Sequence, residues 1–157
     1  MLIAVVSDTH RQEYYIQKVK SYIKNADILI HLGDNIEDAD ELAEGFKGKV
    51  YKVSGNCDFC RGAERELVID VEGIRILITH GDRYGVKYEL NNLYYRAMEA
   101  EADIALYGHT HIPYMEEVNG IWLFNPGSAS LPRMSKNSIG FIEIDKKGNA
   151  IPYLRQI

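Results

Sequence analysis

The chain has 157 residues, 46% of them hydrophobic and 26% charged, with a formal net charge of −5. These proportions suit a soluble globular protein and exclude a disordered or low-complexity one, and the acidic balance argues against stable nucleic-acid binding, which basic patches drive. The opening apolar run, Leu2 to Val6, is shorter than a secretory signal requires, and no segment nears the roughly 18 apolar residues of a membrane span, so a single cytoplasmic domain over residues 1–157 is expected.

Leu2 to Val6 reads as a buried strand, followed by a helix over Arg11 to Lys24 with Ile16, Val19, Tyr22 and Ile23 near helical spacing. A second apolar strand, Asp27 to His31, ends at Gly33-Asp34. A second helix, Glu37 to Phe46, leads to a strand over Val50 to Val53 that stops at Ser54-Gly55-Asn56. This β-α-β-α-β order points to a parallel, covered sheet. The pattern then changes. Glu66 to Val71 and Ile74 to Thr79 flank a tight Glu72-Gly73 turn. A third helix is expected over Val86 to Ala100 and a short strand over Ile104 to Tyr107. Tyr114 to Val118 and Ile121 to Phe124 flank Asn119-Gly120, the strongest short hairpin signal, and Gly140 to Ile144 pairs with Ala150 to Leu154. Early helices and late hairpins fit two packed sheets with helices outside.

The chemistry-bearing residues stand at the ends of these strands: Asp8 and His10, Asp34, Asn56, His80, then His109 and His111. Ligands in open α/β sheets bind beyond the carboxyl ends of the strands, so five such ends bring two Asp, one Asn and four of the five His to one edge. Imidazole and carboxylate donors suit divalent Mn, Fe, Co, Ni or Zn. Seven donors are too many for one ion that must leave room for a substrate. Two ions sharing a carboxylate use them well and clamp both the attacking and the leaving oxygen of an in-line displacement. Two divalent ions set against two carboxylates and one bridging hydroxide leave a single positive charge, which suits a phosphodiester anion. One Asp-x-His or Gly-Asp pair arises by chance in many proteins; the ordered series is not explained by packing.

That series, Asp8-x-His10, Gly33-Asp34, Gly55-Asn56, His80-Gly81 and Gly108-His109-x-His111, resembles the calcineurin-like metallophosphoesterase superfamily. Asn125-Pro126-Gly127-Ser128 with Pro132-Arg133, and the short length, resemble its small prokaryotic phosphodiesterase branch. The resemblance implies a four-layer α/β/β/α sandwich and a hydrolase acting on a small phosphate ester through a bridging hydroxide in a binuclear metal centre. By position, one ion would take Asp8, His10, Asp34 and His111, and the other Asp34, Asn56, His80 and His109. Manganese is the first choice, with Fe, Ni, Zn, Co and Mg as others. Two alternatives accompany this reading: a phosphomonoesterase or nucleotidase on the same centre, and a non-catalytic protein-binding scaffold of the same fold.

Two positions depart from the pattern. Cys57 stands where many larger members carry a His that protonates the leaving oxygen, and a thiol hydrogen-bonds weakly. Asp82 stands where relatives often have a His. Cys57 and Cys60 form a C-x-x-C spacing read as two reduced thiols, since no second ligand pair is free for structural zinc. His31 reads as a structural histidine, Ser128 as a turn residue, Asp58 as a turn residue or an orienting group, Arg11 as a solvated helix start, and Arg133 as a phosphate contact or a loop anchor. The tyrosines in two helical stretches read mostly as core or half-buried, with some in a homo-oligomer interface.

Overall fold

The computed structural model describes residues 1–59 and 64–157, so Cys60 lies outside the described residues. Strands β1 (Leu2–Val6), β2 (Ile28–His31), β3 (Lys49–Lys52), β9 (Ser138–Ile144) and β10 (Ala150–Gln156) form one sheet in the order β10-β9-β1-β2-β3. Strands β4 (Glu66–Val71), β5 (Ile74–Thr79), β6 (Ile104–Leu106), β7 (Tyr114–Val118) and β8 (Ile121–Asn125) form the other in the order β4-β5-β6-β8-β7. In the first sheet β1, β2 and β3 run parallel, and in the second β5, β6 and β8 do. The antiparallel β9–β10 hairpin completes the first sheet beside β1, and the β4–β5 and β7–β8 hairpins complete the second.

Strand alternation sets the layering, because successive side chains point to opposite faces. Ile3, Val5, Ile28 and Ile30 of one sheet meet Ile76, Ile78, Ile104 and Phe124 of the other in a central apolar layer. The alternate residues Ala4, Val6 and Leu29 pack outward with Ile16, Val19 and Ile23 of α1 (Glu13–Ile23) and Leu42 of α2 (Asp38–Ala43). On the opposite side Leu77, Ala105 and Leu123 pack with Leu93 and Ala97 of α3 (Asn91–Glu99). The result is the expected α/β/β/α sandwich. Both predicted two-residue turns have left-handed backbones, Glu72-Gly73 at φ 51° and 85° and Asn119-Gly120 at φ 49° and 85°, as type I′ turns require. Among the described residues no helix is long and apolar enough to cross a membrane.

Two helices start later than the sequence pattern suggests. Arg11 has φ 55°, outside the helical range, and its N–H is held by the Asp38 carboxylate at 2.8 Å, so α1 begins at Glu13. Residues 82–84 form a 3₁₀ turn closed by left-handed Gly85, and α3 begins only at Asn91. Among the tyrosines, Tyr15, Tyr22, Tyr84 and Tyr94 are half-buried as expected, but Tyr14, Tyr88 and Tyr95 are exposed because they face away from the apolar stripes of their segments.

His31, the last residue of β2, is fully buried. Its Nδ1 accepts the Gly33 N–H at 3.2 Å, which leaves the Nε2 proton to donate to Thr9 Oγ1 at 3.1 Å. Both ring nitrogens are thus satisfied in the neutral form, the structural role read from sequence. Burial, partly offset by Asp38 and Asp8, holds His31 down to about 4, against an ordinary value near 6.5. The neutral ring therefore contributes fully above about pH 6.5, and that stability is lost as pH falls toward 4, where the unfolded chain takes up a proton that the folded one refuses. Over that window the loss amounts to about 3 kcal/mol. His31→Gln keeps one donor and one acceptor but cannot titrate, so urea titrations from pH 6.5 to 4 should show a shallower fall in stability than the parent. Equal slopes would remove His31 from the acid response.

Candidate metal centre

All seven predicted donors converge at one rim, in two groups that share a carboxylate. In the first group His111 Nε2 lies 3.2 Å from Asp8 Oδ1 and 3.2 Å from His10 Nε2, and His10 Nε2 lies 4.0 Å from Asp8 Oδ1 and from Asp34 Oδ2. In the second, His80 Nε2 lies 3.3 Å from Asp34 Oδ1, 3.2 Å from Asn56 Oδ1 and 3.1 Å from His109 Nδ1. Asp34 thus turns one oxygen to each group. Each group brings together His and Asp ligand atoms within 4.8 Å of one another, the crowding expected of donors each about 2 Å from a common ion.

The donor set fits cations on chemical grounds. His80 Nδ1–H donates to Leu32 O at 2.8 Å, and His111 Nδ1–H donates to Leu131 O at 2.7 Å. With those protons committed, each neutral ring turns an Nε2 lone pair into the rim, as histidine ligands do when a backbone carbonyl fixes their tautomer. These lone pairs face carboxylate and amide oxygens, an arrangement that is repulsive unless a positive charge lies between. Asp8 Oδ1 is buried without a hydrogen-bond partner among the described residues, whereas its Oδ2 accepts from Ser7 Oγ at 2.6 Å and the His109 N–H at 3.2 Å. A buried carboxylate oxygen left unpaired is costly, and it points at the first group.

Titration responds to the same crowding. Burial alone would raise Asp8, but the His111 contact and the nearby His80 ring outweigh it and hold the carboxyl below its ordinary value. Asp8 in turn raises His111. Burial and neighbouring His80 hold His109 down to about 4, keeping its ring neutral and its lone pair free. Partial burial and the Asp34 carboxylate push the Cys57 thiol up to about 11, so it remains a protonated thiol at neutral pH.

Local backbone strain aims these side chains. Asp8, His10, Asp34, His109 and His111 all have left-handed φ between 48° and 66°, a conformation that costs non-glycine residues free energy and persists only where the surroundings hold it. Those surroundings are visible. Asp58 accepts the N–H groups of Asp34, Asn35, Ile36 and Gly55 at 2.7–3.0 Å, locking the two loops that carry Asp34 and Asn56. Ser128 and Ser130 hydroxyls donate to Asp8 O at 2.8 and 3.1 Å. Asn125 Nδ2–H donates to Gly108 O at 2.9 Å and to Thr110 Oγ1 at 3.0 Å, fixing the His109–His111 loop. Close approach also dictates Gly55, where a Cβ would stand 2.2 Å from Asp34 Oδ1.

The remaining candidates sort clearly. Asp58 orients the site, and Ser128 is a turn residue that also accepts the Leu131 N–H at 2.8 Å. Arg11 is exposed beside Glu37, and Arg133 joins the His111 loop through its N–H to His111 O at 3.0 Å. Asp82 pairs with Arg65 at 2.6 Å, and Arg65 donates to Gly55 O at 3.0 Å. Arg65 was not singled out from the sequence: its partners, Gly55 and Asp82, lie in other loops and no spacing announces them.

A family model described as the calcineurin-like phosphoesterase superfamily domain matches residues 1–147. A probable metallophosphoesterase, YsnB of Bacillus subtilis (strain 168), is 37% identical over 138 residues, covering 87% of this chain and 79% of the relative. The phosphodiesterase YfcE of Escherichia coli (strain K12) is 37% identical over 94 residues, covering 54% of this chain and 47% of its own. A conserved protein of Streptococcus pneumoniae TIGR4 described as a predicted phosphoesterase superposes with a TM-score of 0.80 at 30% identity, covering 98% of this chain and 97% of that one. With the family match spanning nearly the whole chain and the two donor groups in place, the protein belongs to the calcineurin-like phosphoesterase superfamily.

Proposed function

We propose that the protein is a phosphodiesterase that hydrolyses a small phosphate ester with two divalent cations, manganese first among them, held by Asp8, His10, Asp34 and His111 and by Asp34, Asn56, His80 and His109. The observation that carries this reading is the division of Asp34, whose Oδ2 faces one donor group and whose Oδ1 faces the other. Cations bound there would supply a water-derived nucleophile at neutral pH and offset charge growing on the phosphoryl oxygens. The protein's own part is positional. His80 and His111 present lone pairs because Leu32 and Leu131 carbonyls hold their other protons. Asp58 keeps Asp34 and Asn56 in register by binding both loops. The full set of donors speaks against a scaffold without activity, and the YfcE relative, named a phosphodiesterase, favours a diester over a monoester.

The test is turnover of bis(p-nitrophenyl) phosphate and p-nitrophenyl phosphate after chelation and readdition of Mn²⁺. Metal-dependent cleavage of the diester in preference to the monoester is expected. Monoester preference would move the reading to a phosphomonoesterase or nucleotidase, and no turnover of either would favour a scaffold.

Asp58 touches neither donor group directly, yet its four N–H contacts order both loops. Asp58→Ala should weaken Mn²⁺ binding by about 10–100-fold in calorimetric titration while the circular dichroism spectrum is retained. Unchanged affinity would show that the loops hold themselves.

Cys57 donates its backbone N–H to Asp34 Oδ1 at 3.0 Å, so its side chain stands beside the centre, and it is exposed. A thiol there is a weak proton donor for a poor leaving group. Cys57→His should speed hydrolysis of alkyl esters by roughly tenfold or more, and Cys57→Ala should change aryl ester hydrolysis little. A large rate loss on aryl esters in the alanine variant would assign the thiol a direct role.

A further inference from the structure

A cavity of about 460 Å³ opens between residues 86–90, the 107–114 segment and Arg133, a size within the usual range for small-molecule sites. Three of its lining residues neighbour the donors. Thr110, one of its walls, lies between His109 and His111 in the chain. Arg133, another, is bound through its N–H to His111 O at 3.0 Å. Val86, a third, packs against Gly81, beside His80, so closely that a Cβ on that glycine would meet it at 2.9 Å.

The lining is aromatic and apolar with a polar floor. Tyr88 is 94% exposed and Ile112 40% exposed, large surfaces left in water next to a catalytic rim. Tyr107 is buried, reaches the cavity, and its hydroxyl has no hydrogen-bond partner among the described residues. Charge adds direction. Two cations, Lys87 and Arg133, and one acid, Glu89, line the cleft, and Glu116 lies behind it on Tyr114. Arg133 is anchored to the His111 loop, and Lys87 follows Val86, which packs on Gly81 beside His80, so both cations flank the edge where a phosphate would sit.

We infer that this cleft receives one arm of the substrate ester, and that the arm is a planar aromatic group whose phosphate reaches the rim past Lys87 and Arg133. The inference rests on the two-metal reading and names the substrate class for it. A flat ring covers the Tyr88 and Ile112 surfaces and recovers the hydrophobic and aromatic contact they lack, while the free Tyr107 hydroxyl can meet a polar ring edge. Methyl or other short alkyl arms leave the cleft in water and gain none of this.

Two unhydrolysable anions separate the ring from the phosphate: phenylphosphonate and methylphosphonate, titrated calorimetrically into the Mn²⁺-loaded protein. Phenylphosphonate should bind about tenfold more tightly. In Ile112→Ser, and to a lesser degree in Tyr88→Ala, that ratio of phenyl- to methylphosphonate affinity should fall to about twofold or below. Both positions are solvent-exposed, so the fold tolerates the change. Tyr14→Ala, an exposed tyrosine on α1, should leave the ratio as in the parent. Equal binding of the two phosphonates, or a ratio that survives both cleft variants, overturns the aromatic-arm inference while the metal centre stands. Failure of either phosphonate to bind, with no turnover of the diester, overturns the two-metal reading and this inference with it.

Discussion

Lone pairs that face one another without a proton between them are the constraint on which the site depends. Asp8 Oδ1 has no hydrogen-bond partner among the described residues, and the Nε2 atoms of His80 and His111 look inward because their opposite nitrogens donate to backbone carbonyls. Left alone, such a set repels itself and takes up protons wherever it can, which is why Asp8 raises His111. Positive charge between the donors turns that repulsion into cohesion, and ligand groups of this kind bind metal in competition with protons. The same crowding explains why so much of the surrounding structure is devoted to holding loops rather than to contacting a substrate.

The fold meets that demand by combining stiff strands with strained turns. Donors leave the ends of β1, β2, β5 and β6, whose side chains are locked in a central apolar layer, and five of the seven, Asp8, His10, Asp34, His109 and His111, sit in turns whose backbone is left-handed at the donor itself. Strain of this sort would relax if the loops were free. It persists because polar groups elsewhere consume the turn's own N–H and C=O groups: Asp58 for the Asp34 and Asn56 loops, Asn125 for the His109–His111 loop, and Ser128 with Ser130 for Asp8. Arg65 and Asp82 extend the support to Gly55. Asp82 thus has a definite structural task here.

Specificity is a separate matter from the centre. The donor rim can act on any phosphate ester it can reach, so discrimination falls to the walls beside it. The cleft formed by the turn before α3 and the loop after β6 offers aromatic faces and two cations, while the opposite side of the rim presents Cys57 in place of a stronger proton donor. Together these features fit the proposed preference for esters with an aromatic arm and a good leaving group, and the two properties are consistent with each other chemically.

Much of this was legible in the primary sequence because strand ends and metal-binding residue types are local signals. Continuous apolar runs such as Ile3, Ala4, Val5 and Val6 dictated strands covered on both faces, the Glu72-Gly73 and Asn119-Gly120 pairs dictated hairpins, and residue type at strand ends marked Asp8, His10, Asp34, Asn56, His80, His109 and His111, the side chains that meet at one rim. What no local signal carries is assembly between distant segments. Only the tertiary structure decided that Asp34 divides its oxygens between two groups, that Asp58 rather than a helix cap holds the Asp34 loop, that Arg65 braces Gly55, and that the turn before α3 opens a cleft instead of continuing the helix. These are contacts across tens of residues, set by how two sheets stack and where their edges meet, and periodicity along a single segment contains no record of them.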